Sequence, residues 1–205
     1  MRLKYNAPVT LTFALVATVI LGVSQLTGGA LIQNWFTIFP GFRFGSFRSW
    51  FTLFSYVLGH ESWAHLISNM TFFLLIGPVM EEKYGSAPLL AMMAMTAVTT
   101  GIISMLFVRA GLLGASGIVF MLILLSSFTN IRAGEVPITF LLVVALFLVR
   151  EFVAAFTPST VSNLAHIAGG VVGAAFGFLF SGRERTTPRP PGPAGTLTGP
   201  KGATP

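Results

Sequence analysis

Cysteine is absent from this sequence, and charged residues are scarce, at 9% of 205 positions. Without cysteine the chain can form no disulfide, no thiolate-bound metal site and no cysteine nucleophile. Soluble domains usually carry about 25% charged residues, so the low charge excludes an ordinary water-soluble composition. Any nucleophilic catalysis by this chain would have to use another side chain.

Hydrophobic residues are correspondingly abundant. They make up 54% of the chain, with twenty phenylalanines and eight methionines, and the mean hydropathy is +0.81. Several apolar runs are about 20 residues long, the length that crosses the hydrocarbon core of a bilayer. The net charge is +6, but Lys and Arg cluster at the ends of these runs, where they orient a membrane protein, so no nucleic-acid partner is expected. The composition predicts an all-α, polytopic membrane protein.

Six membrane spans are predicted, in one domain that covers residues 1–182. Their approximate ranges are 7–26, 60–80, 88–108, 116–130, 137–155 and 160–181. The first run follows Arg2 and Lys4, as in a signal peptide, but it is as long as a full span and others follow, so it is predicted to remain as a helix. Half of residues 186–205 are Gly or Pro, and residues 183–205 are therefore predicted to be a disordered tail.

The distribution of positive charge predicts the orientation of the spans. With a cytoplasmic N-terminus, eight of the twelve Lys and Arg residues lie inside and four outside. The inner set is Arg2, Lys4, Lys83, Arg132, Arg183, Arg185, Arg189 and Lys201, and the outer set is Arg43, Arg48, Arg109 and Arg150. Both termini are thus expected inside. The second, fourth and sixth helices would then all run inward from the outer face.

Polar residues interrupt these three inward-running spans. His60, His65 and Asn69 stand in the second, Ser116 begins the fourth and His166 lies in the sixth. At about 1.5 Å per residue, Asn69 and His166 reach the interior of the outer leaflet. A serine, a histidine and an amide on separate membrane helices suggest a nucleophile, a base and an oxyanion donor.

The fourth span is too short to cross the whole bilayer. Its roughly 15 apolar residues cover about 22 Å of a hydrocarbon core that is about 30 Å thick. Ser116 would therefore begin below the outer surface, and residues 110–115 would dip into the membrane as irregular backbone. Such backbone is tolerated only where it is buried in protein or lines a wet cavity, so a water-holding pocket is expected here.

Small residues form a stripe along the sixth span. His166 shares one helix face with Gly169, Gly170, Gly173 and Gly177. Such glycines let two helix backbones approach closely, and an approach to the fourth span would bring His166 Nε2 within hydrogen-bonding reach of Ser116 Oγ. Ordinary helix packing is the simpler explanation of an isolated stripe, and both interpretations can hold together.

Three motifs in this order resemble the rhomboid family of intramembrane serine proteases. They are His60-x4-His65-x3-Asn69, Gly114-Ala115-Ser116-Gly117 and Ala165-His166-x2-Gly169-x3-Gly173. Gly77-Pro78-Val79-Met80-Glu81, followed by Tyr84-Gly85-Ser86, also resembles the end of that family's second helix. The resemblance covers roughly residues 8–181 and implies the family's six-helix core.

The resemblance implies a role for each matching residue. Ser116 would be the nucleophile and His166 the base of a Ser-His dyad without aspartate. Asn69, His65 and the Ser116 N–H would form the oxyanion hole. Supporting positions would be His60, Phe120, Gly114, Gly117, Gly169 and Gly173. No cofactor and no metal are implied.

Two departures from the family pattern concern aromatic positions. Four residues after the serine the family often has a tyrosine that packs on the catalytic imidazole, and this chain has Phe120. The family's Trp-Arg pair in the first loop is replaced by Phe47-Arg48-Ser49-Trp50, in which the order is disturbed. That loop, residues 27–59, is rich in Phe and Trp, which suits a segment in the membrane interface.

Other polar residues are expected to have less specific roles. For His60 and Glu61 an interfacial position is favoured over direct catalysis. Glu81 and Glu82 are expected to cap loops or to pair with Lys83 rather than to perform acid-base chemistry, because they lie a membrane's thickness from Ser116.

Two other functional classes remain open. One is a catalytically inactive rhomboid relative that acts as a membrane binding or quality-control protein. The other is a metal transporter or metalloenzyme that uses His60, His65, His166 and Glu61, which are ligand types that zinc prefers. The favoured prediction is an endopeptidase that cleaves transmembrane segments of other proteins in the outer leaflet, in a bacterial plasma membrane.

Overall fold

The computed structural model describes residues 5–107 and 111–131, and it assigns helix to residues 138, 141–142, 145–146, 149, 170–173, 175 and 179. The helices are α1 Pro8–Leu26, α2 Ala30–Trp35, α3 Phe47–Ser55, α4 Trp63–Tyr84, α5 Ser86–Phe107 and α6 Ser116–Ile131, with a 3-10 turn at Tyr56–Leu58 between α3 and α4. Within these residues the fold is helical and contains a single isolated β-bridge.

Three of the described helices, α1, α4 and α5, are long and apolar enough to cross a membrane. The predicted spans 7–26, 88–108 and 116–130 agree with α1, α5 and α6 to within two residues. The predicted fifth and sixth spans lie outside the described residues, apart from the helical positions given above, and so does the predicted tail. The chain is therefore a polytopic, helical membrane protein, while the number six for its spans stays a prediction.

The second span begins later than predicted. Helix α4 starts at Trp63 rather than at His60, because the Ser62 hydroxyl accepts the backbone N–H of His65 at 3.2 Å and caps the helix. The three residues that precede Trp63 therefore belong to the loop before α4. His60 accordingly lies outside the helix that carries His65 and Asn69.

Helices α1 and α4 are joined, at the start of α1 and the end of α4, by a buried carboxylate. Glu81, which is 3% exposed, accepts the N–H groups of Val9 and Thr10 at 2.9 Å each and the Thr10 hydroxyl at 2.8 Å. It also accepts the hydroxyl of Ser86, the first residue of α5, at 2.8 Å. Gly77 makes room for this approach, since a Cβ there would stand 2.7 Å from Thr10 Cγ2. The expected capping role of Glu81 thus extends to a neighbouring helix.

The connection between α1 and α4 is half helical and is hydrogen-bonded to the rest of the fold. Ile38 and Leu112 exchange two backbone hydrogen bonds of 2.9 and 2.8 Å, which form the β-bridge. The Tyr56 hydroxyl donates to the Ala97 carbonyl of α5 at 2.9 Å. These bonds fix the loop against α5 and against the irregular segment that leads into α6.

Helix α6 is the most enclosed of the described helices. Every residue from Ala115 to Ile123 is buried, whereas α1, α4 and α5 each expose large apolar side chains. A helix that is buried on all sides sits inside the bundle rather than at its lipid-facing surface. Ser116, its first residue, therefore lies in the protein interior.

Candidate active site

Ser116 lies at the start of α6, directly after a turn that only glycine can make easily. Gly114 has φ of +111°, a conformation that L-residues with a Cβ rarely adopt. Its N–H donates to the Tyr56 carbonyl at 3.0 Å, and the Ala115 carbonyl then accepts the first helical bond, from Val119, at 2.9 Å. Residues 111–115 are thus irregular backbone fixed by hydrogen bonds, as the sequence predicted, and Ser116 is 5% exposed.

His65 and Asn69 face this turn from α4. A Cβ added at Gly114 would lie 2.9 Å from both Cε1 and Nε2 of His65 and 3.7 Å from Nδ2 of Asn69. The two side chains, one helical turn apart, therefore lie beside the backbone two residues before Ser116. Their i, i+4 spacing puts both side chains on one helix face, and the structure brings that face to the start of α6.

The amide of Asn69 is buried without an obvious partner. The residue is 2% exposed, and Nδ2 makes no hydrogen bond to any part of the chain that the structure describes. A buried N–H donor of this kind costs about 1 to 3 kcal/mol, so a fold keeps one where it serves a purpose. Its position beside the Ser116 turn makes it available to an oxygen atom that arrives there.

His60 is fully buried, which differs from the interfacial position expected for it. Its ring meets that of His65 edge to face, with centroids 5.1 Å apart. Nδ1 donates to the Leu58 carbonyl at 3.2 Å, so in the neutral ring Nε2 is an acceptor. Burial, followed by the charge of His65, lowers the pKa of His60 to about 4, against the opposing effect of the Leu58 hydrogen bond. His60 is thus a neutral ring that packs edge to face against His65.

Glycines of the last described segment pack directly on α6. A Cβ at Gly170 would stand 3.0 Å from both Cε1 and Cγ of Phe120, and one at Gly173 would stand 3.2 Å from Cβ of Met121. Gly117 faces α5 in the same way, because its Cβ would lie 3.4 Å from Thr100 Oγ1. The predicted close approach of the glycine stripe to the fourth span is therefore present at Gly170 and Gly173.

Two of the predicted site residues, His166 and Gly169, lie outside the described residues. The structure brings together His60, His65, Asn69, Gly114 and Ser116. Their meeting with His166 stays a prediction.

Sequence analysis missed one residue that supports the turn. The Tyr56 carbonyl holds Gly114 in place, but a main-chain acceptor leaves no signal in the sequence. Its importance depends on where the chain folds back, which the residue type does not indicate.

A cavity of about 260 Å³ is lined in part by His60. Gln25, Gln33, Glu61 and Leu113 are among its lining residues, whereas Ser116 is not. The water-holding pocket expected beside Ser116 therefore stays a prediction, because this cavity adjoins the irregular segment before the serine and does not reach Ser116 itself.

Residues 47–183 match the Rhomboid domain family. The chain is 26% identical over 156 residues to the Rhomboid-like protein 11, chloroplastic, of Arabidopsis thaliana, covering 68% of this chain and 56% of that protein. It is 25% identical over 130 residues to the Rhomboid protease GlpG of Haemophilus influenzae, covering 62% of this chain and 68% of that protein. For the Rhomboid protease GlpG of Yersinia pestis the identity is 25% over 174 residues, or 83% and 62% of the two chains. The chain thus spans between 56% and 68% of the lengths of these relatives.

Proposed function

Since this chain belongs to the rhomboid family, we propose that it is an intramembrane serine endopeptidase with Ser116 as nucleophile and His166 as general base. The observation that carries the proposal is the meeting of three groups at one turn. His65 and Asn69 of α4 lie against Gly114, two residues before Ser116. That is where donors must lie to stabilise an oxyanion formed by attack of Ser116.

The proposed reaction uses each group once per half-cycle. Ser116 Oγ attacks the peptide carbonyl while its proton passes to His166 Nε2, and the carbonyl oxygen becomes an oxyanion. The oxyanion accepts hydrogen bonds from Asn69 Nδ2, from His65 and from the Ser116 N–H, since N–H groups of a first helical turn point outward from the helix start. His166 then returns the proton to the leaving amine, and water hydrolyses the acyl-enzyme by the reverse sequence.

The contact between Phe120 and Gly170 supports the placement of His166. Ser116 precedes Phe120 by four residues, and His166 precedes Gly170 by four. On two helices that touch at Phe120 and Gly170, residues one turn earlier are neighbours if both helices run in the same direction. The positive-charge count predicts that direction for the fourth and sixth spans. The proposal therefore includes Gly169 and Gly173 as residues that allow this approach.

The proposed topology follows from the charges. Six helices within residues 1–182 would span a bacterial plasma membrane, with both termini and the tail 183–205 cytoplasmic and the dyad in the outer leaflet. The substrates would be transmembrane segments of other proteins, and water would enter from the outer side. Two sets of basic residues support this orientation. Lys83 follows Glu81 at the end of α4 that would face the cytoplasm. Arg43 and Arg48 belong to the connection whose Ile38 pairs with Leu112, four residues before Ser116.

The test compares membranes that contain the wild-type chain with membranes that contain Ser116→Ala. Quantitative proteomics of both should reveal membrane proteins whose cleavage fragments occur only with the wild type. Purified candidates, reconstituted with the enzyme in lipid vesicles, should then be cut within or beside a transmembrane segment. An inactive relative would yield the same fragments with both chains. A metal-dependent protein would lose its function on chelation, whereas the proposed protease should keep its activity.

A further inference from the structure

A second cavity, of about 310 Å³, lies in the connection between α1 and α4. Its lining includes the guanidinium-bearing side chains Arg43 and Arg48 and the hydroxyl side chains Ser46 and Ser49, and it includes no acidic residue. We propose that this cavity binds the phosphate of an anionic phospholipid of the outer leaflet. The proposal concerns lipid binding and does not depend on the proteolytic activity.

Arg48 is held in place with donors to spare. Its Nε donates to the Asn34 carbonyl at 2.6 Å and its Nη2 to the Gln33 carbonyl at 3.3 Å. These bonds fix the guanidinium at the end of α2 and use two of its five N–H groups. Because both acceptors are neutral carbonyls, the guanidinium keeps its full positive charge at the wall of the cavity.

Arg43 carries the second charge on a loop that is fixed by its own backbone. The Arg43 N–H donates to Ser49 Oγ at 3.3 Å, and the Arg43 carbonyl accepts the Ser46 N–H at 3.0 Å. In the part of the chain that the structure describes, no hydrogen bond or ion pair occupies the guanidinium of Arg43. Two arginines with fork-shaped donors suit a phosphate, which accepts bidentate hydrogen bonds.

The surroundings of the cavity favour a lipid over a free anion. Phe47, Trp50, Phe51 and Phe54 follow the spacing i, i+3, i+4, i+7 along α3, and Phe47 is 73% exposed. Phe44, beside Arg43 in the chain, is 81% exposed. An amphipathic helix with an exposed aromatic face lies in the membrane interface, at the depth of the phosphates. The cavity therefore opens where headgroups, rather than soluble phosphate, are concentrated.

The charge of the site selects the headgroup. The cavity wall carries two positive charges and no carboxylate, so it offers nothing to the cationic choline of a zwitterionic lipid. Glu61 lines the neighbouring cavity instead. Phosphatidylglycerol, which bears one negative charge and no cation, matches the site better than phosphatidylcholine of the same acyl chains.

Lipid binding to the purified full-length chain can be measured by native mass spectrometry in detergent. We expect phosphatidylglycerol to bind about tenfold more tightly than phosphatidylcholine. Arg43→Gln should weaken phosphatidylglycerol binding roughly tenfold, the effect of one charge-assisted hydrogen bond, and Arg43→Lys should retain part of it. The matched control is Lys83→Gln. It also removes one positive charge, but Lys83 lies in the last turn of α4 and does not line the cavity, so the affinity should be unchanged. Inorganic phosphate at millimolar concentration should not displace the lipid.

Several results would overturn the proposal. Equal affinity for the two lipids would mean that the arginines do not select charge. An equal loss in Lys83→Gln would indicate diffuse attraction rather than a site. Displacement by inorganic phosphate would make the cavity a soluble-anion site, and displacement by an acidic peptide would assign it to a protein ligand. Circular dichroism of Arg43→Gln keeps the test valid, because an unchanged helix content shows that lost binding is not lost folding.

Discussion

Gly170 lies against the ring of Phe120, close enough that a Cβ at Gly170 would stand 3.0 Å from two of its ring carbons, Cε1 and Cγ. Phe120 is itself 4% exposed, so the ring cannot move into free space. The contact fixes how near the last described helical segment comes to α6. In the proposed enzyme this spacing brings the base to the nucleophile, because His166 and Ser116 stand four residues before the two partners.

The first prediction concerns this contact. Gly170→Ala should lower the rate of substrate cleavage at least about tenfold, because the new methyl group would meet the Phe120 ring and move the proposed base away from the nucleophile. Phe120→Ala should restore part of the rate when it is combined with Gly170→Ala, because it removes the ring that the new methyl group meets. Rates of the two single variants and the double variant, measured on one reconstituted substrate, form the cycle. Additive losses would show that the two positions do not act through each other.

The turn before the serine gives the second prediction. Gly114→Ala should abolish most activity and lower the thermal stability, because alanine at φ of +111° is strained and its methyl group would meet the His65 ring. Gly22→Ala is the matched control, since a Cβ at Gly22 meets nothing within 4 Å. A thermal melt and a cleavage assay of both variants test the expectation. Wild-type activity in Gly114→Ala would mean that the turn is not rigid.

Asn69 allows catalysis to be separated from stability. Asn69→Ala should reduce kcat by about 10² to 10³, the usual effect of removing one oxyanion donor. Stability should change little, because the amide Nδ2 that is lost has no hydrogen-bond partner in the described chain. Asn34→Ala, at an exposed position of α2, is the control and should match the wild type in both assays. A large loss of stability in Asn69→Ala with little loss of kcat would assign the residue to packing.

The contacts of Glu81 with α1 and α5 give a prediction about stability alone. Glu81→Gln turns one accepting oxygen into a donor that faces the N–H and hydroxyl groups of Val9, Thr10 and Ser86. It should lower the unfolding free energy by about 1.5 to 3 kcal/mol, the range for hydrogen bonds to a charged group. Glu82→Gln removes the same charge from the adjacent, exposed residue and should have little effect. Equal melting temperatures of the two variants in one detergent would contradict the capping role.

Apolar run length predicted the membrane helices well, because a bilayer imposes both length and polarity on a span. It placed α1, α5 and α6 to within two residues but began the second span at His60. The capping serine, Ser62, was present in the sequence as a signal for the later start at Trp63.

The loop shows where sequence patterns stop being informative. Helix α3 could have been found from the spacing of Phe47, Trp50, Phe51 and Phe54, which was interpreted only as aromatic enrichment. The bridge between Ile38 and Leu112 could not, because it joins backbone groups 74 residues apart in the numbering of the chain. Long-range hydrogen bonds of the main chain depend on the fold and not on residue type.

Within the candidate site, the residue types were more informative than their surroundings. The i, i+4 spacing of His65 and Asn69 indicates a shared helix face, and the short fourth span predicted irregular backbone before Ser116. The burial of His60 was missed, because a histidine near a helix end usually meets water. Its enclosure results from the loop that folds over it, a feature that its neighbours in the sequence do not reveal.

The dyad is tested most directly by a fluorophosphonate probe, which phosphonylates an activated serine. Mass spectrometry of the labelled wild-type chain should find the adduct on Ser116 and on no other serine. Ser116→Ala should take no label, His166→Ala should lose nearly all of it, and chelators should have no effect. Labelling of Ser116 that is equally fast with and without the His166 imidazole, or no labelling of a folded and pure protein, would contradict the account.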